Sequence, residues 1–270
     1  EFIDFNESLL NFTPLEIGTQ SWINNRLIYL NLYSSGINTI PNSINELTEL
    51  QYLYLSANPI SYIPESISEL ERLERFYIHT CQIQEIPESI GELTRLKNIW
   101  IYNNQLTSLP ESFGNLEDLE QLKIANNNIN FLPESFGNLH KLEELDILNN
   151  NLEYLPANFE NLTNLNYLNL FNNNLQGFIE NISDFEDLQI FNLENNSLNF
   201  LSEQICEIID SLSFFSMNNN YICPPYPECL SEFEIGNQNL QSCELCESNF
   251  IWFSEIPEII STNMITNCFY

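Results

Sequence analysis

Leucine recurs at Leu27, Leu50, Leu73, Leu96, Leu119, Leu142, Leu165 and Leu188, an interval of 23 residues that never slips. Each of these leucines opens a unit of one design, complete in the stretch from Leu96 through Ile99, Ile101, Asn104, Leu106, Leu109 and Pro110 to Phe113 and Leu116. Self-similarity at a fixed period of this length specifies a solenoid. No unit buries its apolar face alone, and stacked neighbours complete one continuous core. A stack of this kind presents an extended face and ordinarily no catalytic cleft, so binding is the first functional expectation.

Within a unit, apolar residues alternate, as at Leu53 and Leu55 or Ile99 and Ile101. That is the period-2 signal of a short strand. Asn58, Asn104, Asn127, Asn150, Asn173 and Asn196 follow where the chain bends away from the strand. An amide there can bond the backbone donors and acceptors that the turn leaves unpaired. Pro41, Pro64, Pro87, Pro110, Pro133 and Pro156 hold the next segment away from sheet pairing. Apolar residues three and six positions later, such as Ile67 and Leu70, return to the core.

The shared pattern, LxxLxLxxNxLxxLPxxIxxLxx, resembles that of the leucine-rich repeat family in its typical 23-residue class, over roughly residues 1–222. The resemblance implies an α/β-type repeat solenoid, curved, with a short parallel sheet on the concave side and irregular or 3₁₀ segments on the convex side. Leu212 resumes the series after a one-residue insertion, with Phe215, Met217, Asn220 and Ile222 in the expected slots. Ile3, Phe5, Leu10, Pro14 and Ile17 fit a degenerate earlier unit, with extra residues around Trp22. Residues 1–26 are therefore expected to be a degenerate repeat or cap, 27–222 the solenoid of about nine repeats, and 223–270 a Cys-rich cap and tail. A start almost inside a strand fits either a processed or partial chain, or a cap formed by residues 1–26 themselves. Past Ile222 the chain resembles the cysteine-bearing C-terminal cap of extracellular members of the family, while residues 247–270 match no pattern.

Seven cysteines divide six to one. Cys81 stands in the asparagine slot of its repeat and is expected to be a buried, inert thiol. Cys206, Cys223, Cys229, Cys243, Cys246 and Cys268 read as a disulfide framework, for which 15 pairings exist. Cys206 and Cys229 are 23 residues apart, which places them on adjacent coils near the ~4.8 Å strand spacing and within disulfide reach. The other four remain open; Cys223 with Cys243 and Cys246 with Cys268 is one arrangement. A zinc site built from Cys243, Cys246, Cys223 and Cys229 is the rival, but the Cys223–Cys229 gap is too wide for a zinc knuckle. No metal and no cofactor is expected. Disulfides imply an oxidising compartment, hence an extracellular or cell-surface location. The lack of a signal peptide is consistent with its removal, and no apolar run approaches the ~20 residues of a membrane span.

A net charge of −31 with only seven lysines and arginines excludes nucleic acid, whose phosphates need a basic surface. Much of the acid is regular: Glu65, Glu88, Glu111 and Glu134 each follow the convex proline, and Glu46, Glu69 and Glu92 recur further round. Solubility accounts for them, with divalent cation binding as a minor alternative. Asn6, Asn11, Asn161, Asn181 and Asn195 lie in N-x-Ser/Thr sequons, relevant where the source glycosylates.

Side chains alternate across a strand, so the third, fifth and seventh positions of each unit face solvent. Read in order they give Tyr29, Asn31, Tyr33; Tyr52, Tyr54, Ser56; Arg75, Tyr77, His79; Asn98, Trp100, Tyr102; Gln121, Lys123, Ala125; and Glu144, Asp146, Leu148. Arg26, Arg72, Arg95 and Lys141 sit before strands, opposite Glu49, Asp118 and Asp187, so mutual pairing is expected there. Arg75, Lys97 and Lys123 are left on or beside the tyrosine-rich face. Tyr29, Tyr33, Tyr52, Tyr54, Arg75, Tyr77, His79, Trp100, Tyr102 and Lys123 thus form an aromatic and basic island in an acidic background, the composition of interface hot spots. Strand propensity alone also favours such rings. The island suits a protein segment or a sugar ring stacked on an aromatic face. Glu144 and Asp146 lie two apart on one strand, yet nothing in the pattern buries either to raise a pKa, and an open sheet encloses no substrate. His79 and His140 are too isolated for a triad or a metal site. The reading is a non-catalytic recognition or adhesion module. A self-associating subunit of an extracellular fibre or surface layer is the alternative.

Overall fold

The computed structural model describes residue 6 and residues 17–177 and 182–243. These form a ten-stranded sheet whose spatial order is the chain order. Strands β1 (Thr19–Ile23), β2 (Arg26–Asn31), β3 (Tyr52–Tyr54), β4 (Arg75–Tyr77) and β5 (Asn98–Trp100) lead into β6 (Gln121–Lys123), β7 (Glu144–Asp146), β8 (Tyr167–Asn169), β9 (Ile190–Asn192) and β10 (Phe214–Ser216). From β2 onward every neighbour is parallel. Each residue pairs with its equivalent one repeat away: Leu53 with Phe76, Ile99 with Leu122, Leu145 with Leu168. The inserted residue before Leu212 does not disturb this. It is taken up around a short helix, α1 (Ile205–Ile208), and Phe215 still opposes Phe191.

The asparagines meet the expected need. Asn104 Nδ2 donates to the carbonyls of Ile78 and Ile101, both at 2.9 Å, while its Oδ1 accepts from the Ile83 N–H at 2.9 Å. One buried amide thereby satisfies backbone groups on two adjacent coils. Asn58, Asn127, Asn150, Asn173, Asn196 and Asn220 repeat the arrangement. Immediately before them, Asn103, Asn126, Asn149, Asn172, Asn195 and Asn219 take positive φ of 53–57°. Asparagine tolerates that left-handed conformation better than most residues.

Two coils break both rules: the first, with Ser34 at φ 51° and Ser35 in the amide slot, and the coil of Thr80 and Cys81. Thr80, a β-branched residue, holds φ 57°, and Cys81 replaces the amide. The Cys81 Sγ lies 3.7 Å from the Leu55 carbonyl and 3.6 Å from that of His79. It is half-buried, not fully buried as its slot led us to expect, and it is a free thiol. Burial pushes its pKa up, so the thiol stays protonated and donates weakly where asparagine would donate and accept.

On the convex side each proline precedes a 3₁₀ turn, as at Glu65–Glu69, Glu88–Glu92, Glu111–Asn115 and Glu134–Asn138. From these turns Phe113, Phe136 and Phe159 stack into the core with ring centroids 6.5 and 6.3 Å apart. On the sheet side, rings one repeat apart range from 6.3 Å for Tyr29 and Tyr52 to 4.4 and 4.1 Å along Tyr54, Tyr77 and Trp100.

Both ends depart from the repeat. Strand β1 runs antiparallel to β2, so residues 19–23 are one arm of a hairpin and not part of a parallel unit. The reason is local: Asn24 and Asn25 both take positive φ, 49° and 60°, the requirement of a two-residue type I′ turn. Ile17 joins the core, whereas Ile3, Phe5, Leu10 and Pro14 lie outside the described residues. At the other end, residues 236–239 follow the helix α2 (Glu232–Ile235) and lie along the last coil. There the Asn219 and Asn239 amides donate to Asn237 and Asn220 carbonyls at 2.7 Å. Two disulfides, Cys206–Cys229 and Cys223–Cys243, staple this cap, each with Cα atoms 5.5 Å apart. Cys246 and Cys268 lie outside the described residues.

Asn127→Ala is expected to cost about 1–3 kcal/mol, because it strands buried backbone groups on two coils. Conversely, Thr80→Asn with Cys81→Asn restores the pattern and should raise stability by about 1–2 kcal/mol. Urea midpoints measure both; a double variant no more stable than the parent contradicts the account of this coil.

Candidate functional site

The register of the sheet places the third, fifth and seventh positions of successive units in straight rows across the concave face. In the fifth-position row the rings of Tyr54, Tyr77 and Trp100 stack almost parallel, at 4.4 Å with 6° and 4.1 Å with 8° between planes. Tyr29 closes one end edge-on to Tyr54 at 5.3 Å. Lys123 closes the other, its Nζ 4.9 Å from the Trp100 ring centroid. A second stack, His79 on Tyr102 at 4.1 Å, fills the seventh-position row, with Tyr33 tilted at 6.4 Å from His79. In the third-position row Arg75 lies over the Tyr52 ring at 5.5 Å, and the neighbouring Tyr54 hydroxyl holds its pKa up. All ten residues singled out by sequence therefore come together on one face.

Their orientation differs from expectation in two ways. The rings stand on edge, with their faces covered by each other and by Lys123, so edges and hydroxyls are what solvent meets. Trp100 is half-buried, and its indole N–H is inaccessible with no acceptor among the described residues. Burial shapes the titration of this cluster. It pushes Tyr77 up to about 12, helped by the neighbouring Tyr54, and raises Tyr102; it lowers His79, which stays neutral near pH 7.

The charged residues also need correction. Arg72 pairs with Glu49 and Lys141 with Asp118, both at 2.6 Å, as anticipated. Arg26 and Arg95 have no carboxylate within ion-pair distance among the described residues. Lys123 is not left over: it reaches Glu144 at 3.6 Å. Asp146, expected to be unperturbed, is pushed above the usual carboxylate range by burial, partly offset by the Leu148 N–H and Lys123. The face is thus aromatic and cationic over β2–β6 and acidic at β7, while the unit of β8 again presents Tyr167, Asn169 and Phe171. A raised carboxyl on an open sheet has no enclosed substrate to act on.

Sequence reading placed Cys81 in the asparagine slot but missed two further features. The positive φ of Thr80 directly follows His79, so an irregular coil runs through the aromatic island. Tyr62, Phe131, Tyr154 and Phe200 form an exposed lateral row, more than half accessible, that spacing alone would have revealed. Of the sequons, Asn6 is buried and bonded to the Thr39 backbone, Asn161 is exposed, and Asn195 is half-buried with its Oδ1 accepting from Asn219 at 2.7 Å. Asn11 and Asn181 lie outside the described residues.

The model of a leucine-rich repeat region matches residues 23–123 and 88–270. Among solved structures, a leucine-rich repeat protein of Leptospira interrogans is similar at 28% identity and TM-score 0.63, over 68% of this chain and 47% of that one. The plant peptide hormone receptor RGFR1 in complex with RGF2 is similar at 27% identity and TM-score 0.68, over 76% of this chain and 34% of the receptor. The leucine-rich repeat ectodomain of a membrane receptor kinase from Arabidopsis thaliana aligns at 24% identity and TM-score 0.59, over 85% of this chain and 34% of that one; this likeness concerns the fold alone. The chain spans less than half the length of each. No curated protein matches it.

The ring stack has a titration signature. Tyr77 ionises above its ordinary value of 10, so the fold holds its proton more tightly than the unfolded chain does. Its contribution to stability is complete below that ordinary value and is lost as pH rises through about 12. Ultraviolet titration of tyrosinate should show that Tyr77→Phe loses one phenol from the latest part of the parent curve, with the raised Tyr102 and Tyr167 still present. An unchanged difference curve contradicts the buried stack.

Proposed function

Because the chain belongs to the leucine-rich repeat family, we propose that it is a non-catalytic recognition module that binds a protein partner on its concave face. The observation that carries this reading is the Tyr54–Tyr77–Trp100 stack, closed by Tyr29 and Lys123, at the centre of a face that also offers Arg75, His79 and Tyr102. Preassembled rings lose little conformational freedom when a partner docks, and aromatic plus arginine anchors dominate interface energetics. Ring edges and hydroxyls suit the mixed apolar and hydrogen-bonding surface of a polypeptide. A stacked sugar needs an open ring face, and in the central Tyr54–Tyr77–Trp100 stack the faces are occupied by neighbours, which favours a protein over a glycan there.

Two disulfides support placement in an oxidising, extracellular or cell-surface setting. The similarity to a peptide hormone receptor in complex points the same way. The assembly alternative has copies packing end to end or face to face; residues 236–239 occupy the edge of the last coil, which disfavours end-to-end packing there.

Trp100→Ala should weaken partner binding by at least ~2 kcal/mol, roughly thirtyfold. Circular dichroism and thermal melts should still report a folded solenoid. Glu88→Ala and Glu111→Ala on the convex side should leave affinity unchanged. Partners are captured from secreted-protein and peptide libraries and affinities measured by calorimetry. Equal losses from both faces, or light scattering that finds large oligomers at low concentration, would replace this reading with assembly.

A further inference from the structure

The third-position row of the concave face carries four polar side chains on four successive strands: Arg75, Asn98, Gln121 and Glu144 oppose one another in register from β4 to β7. A cation stands at one end and an anion at the other. Between them the Asn98 Nδ2 donates to Gln121 Oε1 at 2.8 Å, forming a short polar floor beside the stacked rings.

The two ends are unbalanced in opposite senses. Arg75 is exposed in a chain with 38 acidic residues and seven basic ones, yet no carboxylate lies within ion-pair distance of it among the described residues. Its guanidinium instead lies over the Tyr52 ring, 5.5 Å from the centroid. Arg72, three residues away and outside the face, does have its carboxylate. At the other end Glu144 and Asp146 share a single cation, Lys123, which also caps the Trp100 ring. One charge is missing at each end, and the missing charges have opposite sign.

We propose that the ligand of this face is an extended polypeptide segment lying along the Arg75–Glu144 row, with an acidic side chain on Arg75 and a basic side chain, four residues away, against Glu144 and Asp146. The spacing follows from geometry. Three strand intervals of ~4.8 Å span about 14 Å, and an extended chain advances ~3.3–3.5 Å per residue, so about four residues bridge the ends. The segment's backbone lies over Asn98 and Gln121, whose amides offer both donors and acceptors. Its remaining side chains meet the edges of Tyr77 and Trp100. The span is too long for a single amino acid or other small zwitterion. The opposed charges set the direction of the segment and reject a reversed or uniformly acidic one. This inference rests on the concave face being the binding site and specifies what that site reads.

The test is a random peptide display library selected against the folded chain and sequenced, with parallel selections on Trp100→Ala, Arg75→Glu and Glu144→Gln/Asp146→Asn, all checked for folding by circular dichroism. The parent should enrich peptides with Asp or Glu about four positions from Lys or Arg. Arg75→Glu should lose the acidic preference and bind a selected peptide at least about tenfold more weakly, with recovery when that peptide's acid is changed to lysine. Glu144→Gln/Asp146→Asn should lose only the basic preference; should Arg75→Glu fail to fold, this variant and Arg75→Gln carry the test. Enrichment that depends on Trp100 but shows no charge spacing, or a charge swap that fails to rescue, overturns this inference and leaves the concave-face reading standing. No enrichment, or enrichment indifferent to Trp100→Ala, overturns both.

Discussion

A buried asparagine in each of seven coils holds this molecule in register, with Ser35 and Cys81 in that slot of two others. A parallel strand of three residues has too few ladder bonds to fix its own position, and the turn that follows it leaves carbonyls and amides unpaired in an apolar interior. The carboxamide answers both problems at once: it donates to the carbonyls of its own strand end and of the preceding coil, and accepts from an N–H in that coil. An unpaired buried backbone group costs about 1–3 kcal/mol, so a coil displaced by one residue would forfeit several such terms together. The 23-residue period is the sequence trace of that constraint. It tolerates an extra residue before Leu212 because the addition falls in the convex loop, away from Asn196 and Asn220.

The concave face inherits its order from this register. Because equivalent positions are held opposite one another, Tyr54, Tyr77 and Trp100 on three consecutive strands are brought into one row. Their rings pack at 4.4 and 4.1 Å, closer than the 6.3–6.5 Å of the core phenylalanines. That closeness turns ring edges outward and drives the upward shift of Tyr77. The register rule is relaxed in the coil of Thr80 and Cys81, whose strand carries Tyr77 and His79, one ring of each stack. Departures from local rules of this kind are where function tends to sit.

The repeat, the parallel sheet, the convex 3₁₀ turns and membership of the island were all legible in the sequence, since each depends on periods of 2 and 23 that count directly. Cys206–Cys229 was legible for the same reason. Three features were not. The antiparallel β1 was hidden because Asn24-Asn25 resembles the Asn pairs of the repeats, and only the positive φ at both residues distinguishes a hairpin turn. The edge-on rings and the half-buried Trp100 depend on how rings of neighbouring units pack, a property of several units that no single repeat encodes. The Lys123–Glu144 contact and the raised Asp146 are diagonal, between rows, whereas the sequence reading followed rows alone.

The asparagine constraint can be observed without altering the molecule. Amide exchange followed by NMR reports the carboxamide protons of Asn58, Asn104, Asn127, Asn150, Asn173, Asn196 and Asn220, all buried and bonded. These seven side chains should exchange orders of magnitude more slowly than exposed asparagines such as Asn103 and Asn126, and as slowly as the strand amides beside them. Carboxamides that exchange at the rate of exposed ones while the strands stay protected would contradict the claim that these amides hold the register.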